Sequence, residues 1–214
     1  MSKSAQIRAC YERNFPQTEE GIKQFYDEWA STYVKDMAEE GYPAPRRAAE
    51  TMAKLLTNKD AEIMDMACGT GLVAHELTKL GFKNIDGVDI STESLKFSKE
   101  RGIYRRLICS RIGTNKLDIQ DDSYDGLVLC GALGSGHLNL ECLPQLIRIV
   151  KPGGPIILDV DSESKDTVDT FKDGKFEADL EALVRKGLWV KEGYEFVPDW
   201  MFNEPGHQYA YKVV

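Results

Sequence analysis

The chain has 214 residues, 42% of them hydrophobic, which suffices for one substantial core and falls short of two large domains. A net charge of −8 argues against a broad electrostatic footprint for nucleic acid or an anionic membrane, so a small-molecule or protein substrate is favoured. The five cysteines, Cys10, Cys68, Cys109, Cys130 and Cys142, lack metal-type spacing, and the opening MSKSAQIRACYERN has no signal-peptide core; a reduced, cytoplasmic protein with no metal site and no membrane span is expected, with a monomer as the starting assumption.

Thr18-Glu19-Glu20 reads as a capped helix start, after which Phe25, Trp29, Tyr33 and Met37 recur every fourth residue along one face that needs a cover. Gly41 to Pro45 break that helix, and Ala48, Met52, Leu55 and Leu56 mark a second one. Ala61, Ile63 and Met64 form a short apolar strand. Gly69 and Gly71 then turn the backbone tightly, and Leu72, Val73, Leu77 and Leu80 fall at helical spacing up to the stop at Gly81. Asn84 to Val88 is the next strand. Ser91 caps a helix over 92–101, strands follow near 105–110 and 124–130, and an amphipathic helix covers Leu138 to Val150. Lys151-Pro152-Gly153-Gly154 leads into Ile156 to Val160, apolar enough for a strand buried on both faces. Asp173 to Gly187 is the last helix, with final strands near 188–197 and 208–214. The alternation implies an α/β, Rossmann-like fold, a mostly parallel sheet with helices on both faces.

The glycine turn between the first two strands is the chemical centre. Asp89 ends the second strand 18 residues beyond Gly71, where a carboxylate accepts hydrogen bonds from ribose hydroxyls. Gly69-x-Gly71-x-x-Ala74 also fits the permissive dinucleotide pattern, but Asp65 at the first strand's end would repel a pyrophosphate and suits a ligand with an ammonium and a sulfonium at that end. A phosphate-binding loop is excluded, because the Gly-x4-Gly-Lys-Ser/Thr pattern is absent.

Asp65-x-Ala67-Cys68-Gly69-Thr70-Gly71, Gly87-Val88-Asp89-Ile90-Ser91, Tyr124-Asp125-Gly126, Gly131-Ala132-Leu133 and Lys151-Pro152-Gly153-Gly154 together resemble the class I S-adenosylmethionine-dependent methyltransferases. Tyr26-Asp27-x-Trp29-Ala30-x-x-Tyr33, Gly41-Tyr42-x-x-Pro45 and Gly136-His137 look more narrowly like the Williams-Beuren-region methyltransferase-like proteins. The resemblance implies seven strands in the order 3-2-1-4-5-7-6 with an antiparallel strand in the last-but-one position. It also implies S-adenosyl-L-methionine as cofactor and S-adenosyl-L-homocysteine as product. Residues 1–58 would be a helical lid segment packed on a core of 59–214. Carried over, Asp65, Gly69 and Gly71 lie beside the methionine portion, with Ala67 in the place of the motif's first glycine, and Asp89 takes the ribose. Ile90 packs on adenine or is an ordinary core residue; Arg111 and Ile112 approach the adenine edge or are plain loop positions. Cys109 to Asn115 lacks the aspartate often found there in the family. Tyr26, Trp29 and Tyr33 fall where the family places a lid, with Tyr33 reaching the ligand and Trp29 packing, and Cys130 ends the fourth strand where methyl and acceptor meet.

The sulfonium is already a good leaving group, so the protein has mainly to align an acceptor and exclude water. His137 is the candidate general base; its alternative is a loop histidine bonded to backbone. Asp159 and Asp161 either contact the acceptor or cap loops. The expected function is methyl transfer to a small molecule; the alternatives are a protein or peptide methyltransferase, or a non-catalytic S-adenosylmethionine-binding module.

Overall fold

Local chemistry sets the element boundaries. The computed structural model describes residues 16–201 and 203–214; the expectations for the amino terminus and Cys10 fall outside them. Thr18 accepts a hydrogen bond from Gly21 N at the start of α1 (Glu19–Glu40), and Gly41, in the left-handed conformation at φ 70°, ends it. Next come α2 (Ala44–Leu55), β1 (Glu62–Met66), α3 (Leu72–Lys79), β2 (Asn84–Asp89), α4 (Thr92–Glu100), β3 (Arg106–Cys109) and β4 (Gly126–Leu133). A 3₁₀ turn (Leu140–Cys142), α5 (Leu143–Ile149), β5 (Pro155–Asp161), α6 (Ser162–Thr167), α7 (Lys175–Arg185), β6 (Trp189–Met201) and β7 (Glu204–Val213) complete the order.

The strands form one sheet, β3-β2-β1-β4-β5-β7-β6, in which β7 runs antiparallel to both β5 and β6. This is the order and the antiparallel position that the family resemblance implies. The central strands are buried on both faces, as an unbroken apolar run requires: all of Ile63–Met66 and Pro155–Val160 are buried. One face packs α2 and α3 through Ala48, Ala49, Met52, Val73 and Leu77 against Ile63, Val128 and Ile157. The other packs α5 and α7 through Leu143, Leu146, Phe176 and Leu180 against Leu127, Leu158 and Tyr209. Helix α2 is thus a layer of the core, whereas α1 lies over the sheet's carboxyl edge. No helix among the described residues is long and apolar enough to cross a membrane.

Three elements depart from expectation. The helix expected over 138–150 is split, because Asn139 caps Glu141 N at 2.9 Å and Pro144 fits only a helix's first turn, so the α-helix proper begins at Leu143. Helix α6 is additional; Asp161 Oδ1 accepts from Ser164 N at 2.6 Å and starts it, which gives Asp161 the capping role. The β6–β7 hairpin runs on to Met201 and back from Glu204, longer than the apolar alternation suggested.

Candidate active site

The carboxyl ends of β1, β2 and β4 open into a cavity of about 330 Å³. Its floor is the turn from β1 to α3, where Ala67 (φ 56°), Gly69 (φ 51°) and Gly71 (φ 86°) all take the left-handed conformation. The two glycines serve different purposes. A Cβ on Gly69 would meet nothing within 4 Å, so this cavity-lining position leaves room for a ligand. A Cβ on Gly71 would sit 3.1 Å from Arg101 Cδ and Tyr104 Cε2, so glycine there lets α4 and the following loop close on the turn. Ala67 holds its left-handed conformation at a cost of about 1–2 kcal/mol.

Helix α4 and Asp89 clamp this turn. Asp89 Oδ2 accepts from Gly69 N and Oδ1 from Ser91 N, both at 2.8 Å, while Ser98 Oγ donates to Gly69 O at 2.7 Å and Arg101 Nε to Thr70 O at 2.6 Å. Burial pushes the Asp89 carboxyl above its ordinary range, and the backbone donors pull it back toward the ionised form. Thr70 Oγ1 lines the same cavity buried and without a hydrogen-bond partner among the described residues. The open Gly69 face, the orphaned Thr70 hydroxyl and the Asp89 carboxylate at the strand end form a cradle suited to the polar end and ribose of a nucleoside ligand.

Asp65 is not part of the cavity lining. It is 1% exposed, accepts the Tyr104 hydroxyl at 2.7 Å beneath the turn, and burial raises it to about 7. The expected contact of this carboxylate with a ligand ammonium is therefore not one the cavity offers; the chain leaves β1 with Asp65 already turned under α3. Gly71 and Trp29 are likewise outside the lining. Trp29 is 5% exposed, donates from Nε1 to Asp36 Oδ2 at 2.8 Å, and packs edge-on to Tyr33 at 4.6 Å.

Helix α1, with Gln17 just before its cap, roofs the cavity, and four contacts reach the segments that follow β2, β3 and β4. Gln17 Nε2 donates to Ser135 Oγ at 3.2 Å; Glu19 pairs with Arg111 at 2.9 Å; Tyr26 meets His137; and Asp27 Oδ1 accepts from Ser91 Oγ at 2.7 Å and Glu93 N at 3.1 Å. Asp27 thus caps α4 from another helix. Burial pushes its carboxyl up, but hydrogen bonds from Lys23, Ser91 and Glu93 outweigh that and leave it below its usual value. Tyr26, Tyr33, Ala67, Gly69, Asp89, Ile90, Arg111, Ile112, Cys130 and His137 all line the cavity, together with Tyr42, Thr70 and Glu141, whose positions carried no sequence argument of their own.

Hydrogen bonding fixes the state of His137. Nδ1 lies 3.0 Å from Ser135 O, an acceptor only, so Nδ1 carries the proton and Nε2 accepts from the Tyr26 hydroxyl at 2.7 Å. Burial pushes His137 down to about 4, which keeps the ring neutral at pH 7. Across the cavity, β4 bulges between Leu129 and Leu133, with Gly131 at φ 67°. Gly131 N donates to Asp159 Oδ1 at 2.6 Å, and Tyr42 Oη lies 3.9 Å from Cys130 Sγ. Asp159, 1% exposed and raised by burial to about 6, holds the bulge from behind rather than lining the cavity.

The sheet order, the glycine turn and the strand-end carboxylate define a Rossmann-like nucleoside-binding domain of the methyltransferase type. A family model described as a methyltransferase domain matches residues 63–154. Methyltransferase-like protein 27 of Homo sapiens is 36% identical over 167 residues, 77% of this chain and 66% of that protein. Among solved structures, the chain shares its fold with the 1,6-didemethyltoxoflavin-N1-methyltransferase of Burkholderia thailandensis, described with 1,6-didemethyltoxoflavin and S-adenosylhomocysteine bound. The TM-score is 0.60 at 16% identity, covering 89% of each chain. It shares it too with the [4+2]-cyclase SpnF, with a TM-score of 0.65 at 15% identity, covering 92% of this chain and 96% of that one. Residues 63–154 thus form a methyltransferase domain, on a fold shared with S-adenosylmethionine-dependent methyltransferases, and the chain spans no more than about two thirds of the length of the curated relatives it matches.

Proposed function

We propose that this chain is a cytoplasmic enzyme that transfers a methyl group from S-adenosylmethionine to a small-molecule acceptor. The observation that carries this reading is the roofed cavity: α1 and the residues just before it reach over the glycine turn through contacts at Ser91, Arg111, Ser135 and His137, and among the described residues this partial cover favours a small acceptor over a polypeptide. Bound there, the cofactor supplies an electrophilic methyl on a sulfonium leaving group. Asp89 accepts the ribose hydroxyls with the lone pairs not already given to Gly69 N and Ser91 N. Gly69 and Ala67 border the methionine portion, Ile90, Ile112 and Arg111 the base, and Tyr26, Tyr33 and Cys130 the region between donor and acceptor.

His137 positions Tyr26 in this scheme. A ring held near pKa 4 is a weak proton acceptor at pH 7, and its Nε2 lone pair is engaged by the Tyr26 hydroxyl. Acceptors that are nucleophilic without losing a proton first, such as neutral amines or already ionised oxygens, fit the chamber better than alcohols. Because the same fold also carries a [4+2]-cyclase, turnover is the necessary test. Incubation of the protein with methyl-labelled S-adenosylmethionine and a fractionated metabolite extract should label a small molecule. Cofactor binding with no labelled product in any fraction would favour the binding-module alternative; label confined to protein would favour a protein acceptor.

A further inference from the structure

We propose that Glu141 accepts a hydrogen bond from the exocyclic amino group of the cofactor's adenine and so distinguishes adenosine from other nucleosides; this rests on the cofactor reading above. Three carboxylates line the cavity. Asp89 is committed to the glycine turn and Ser91, and Glu19 is paired with Arg111. The Glu141 carboxylate has no hydrogen bond or ion pair among the described residues.

Its neighbours are those a flat base needs. Leu140 and Cys142, on either side of Glu141, belong to one apolar cluster with Ile112 and Leu138, and Ile112, Leu138 and Ile90 line the cavity. The backbone is fixed as well, since Asn139 Oδ1 holds Glu141 N at 2.9 Å. An adenine amino group brings two N–H donors, and the loop after β3 that lines the same cavity offers no carboxylate to receive them: 109–115 contains no acidic residue, and Ser110 Oγ is turned to Arg111 O. The Glu141 carboxylate, exposed and lining the same cavity beside this apolar cluster, is the strongest acceptor available there.

The test separates this contact from a general effect on the site. S-adenosylhomocysteine and its analogue with hydrogen in place of the 6-amino group are titrated calorimetrically into wild type, Glu141→Ala and Glu141→Gln. Wild type should prefer the amino-bearing ligand by roughly ten- to a hundredfold. Glu141→Ala should lose that preference while binding the desamino ligand as wild type does, and Glu141→Gln, whose amide oxygen still accepts, should keep part of it. Melting temperatures should be unchanged, because the carboxylate supports nothing else. A wild-type preference that survives in Glu141→Ala, an equal loss for both ligands, or no preference in wild type overturns the proposal. Wild type that binds neither ligand overturns the cofactor reading itself.

Discussion

The Tyr26 hydroxyl donates to Nε2 of His137 at 2.7 Å and thereby ties the roof helix to the loop after β4. A neutral imidazole whose other nitrogen is fixed by Ser135 O is a preformed acceptor for that phenol. The contact joins two segments 111 residues apart in the chain, across the cavity mouth.

If this pair latches the roof, Tyr26→Phe and His137→Gln should act alike: each should weaken S-adenosylhomocysteine binding several-fold, consistent with the loss of one net hydrogen bond of about 1 kcal/mol. Hydrogen exchange across 19–40 reads the same event directly. Saturating ligand should protect that segment in wild type and protect it less in either variant. Unchanged exchange in wild type at saturation would contradict a moving roof.

Asp65 gives a pH signature. Its carboxyl is raised from 3.8 to about 7 in the fold, so the folded state keeps a proton that the unfolded chain releases. The stability this contributes is fully present below pH 3.8 and is lost as pH rises to about 7. Asp65→Asn keeps a carbonyl for the Tyr104 hydroxyl and removes the titration. Its stability relative to wild type should therefore improve between pH 4 and pH 8, by up to about 4 kcal/mol. Denaturant unfolding at several pH values checks it; parallel curves for the two proteins would mean that Asp65 titrates normally.

Ala67 occupies the left-handed region at φ 56°. Ala67→Gly should relieve the strain and stabilise the fold by up to about 1 kcal/mol, after allowance for the greater freedom glycine adds to the unfolded chain. Thermal unfolding should show a rise of a few degrees. A fall in melting temperature would mean that the alanine methyl contributes more by packing than its backbone costs.

Periodicity and glycine punctuation made much of this molecule legible in advance. The apolar strands, the turn at Gly69 and Gly71 and the strand-end Asp89 are local patterns; their alternation implies a mostly parallel sheet, while the strand order follows only from the family resemblance. The site was less legible where side chains act across the chain. Alternation along β1 marks Asp65 as buried or lining, but the exit of the strand decides which, and that exit is shaped by Tyr104. Asp27 caps a helix that starts 65 residues later, a contact no local pattern reveals. Glu141 was hidden by reading 138–150 as one helix, although Asn139 followed by Pro144 carried the signal for a later start. The strand-end position points to Asp89 as a candidate ligand group and gives no sign that it also holds Gly69 N and Ser91 N, so it cannot be removed without cost to the turn.

Calorimetric titration of S-adenosylhomocysteine into wild type and Asp89→Ala, well below the melting temperature of the variant, tests the central claim most directly. Loss of the two backbone hydrogen bonds should destabilise the variant by roughly 1–3 kcal/mol, and loss of the ribose contact should weaken binding by about ten- to a hundredfold. Wild type should bind one equivalent of this ligand and no nicotinamide dinucleotide. Equal affinity in the folded variant, or wild type that binds the dinucleotide in place of the homocysteine nucleoside, would contradict the assignment of this cavity to S-adenosylmethionine.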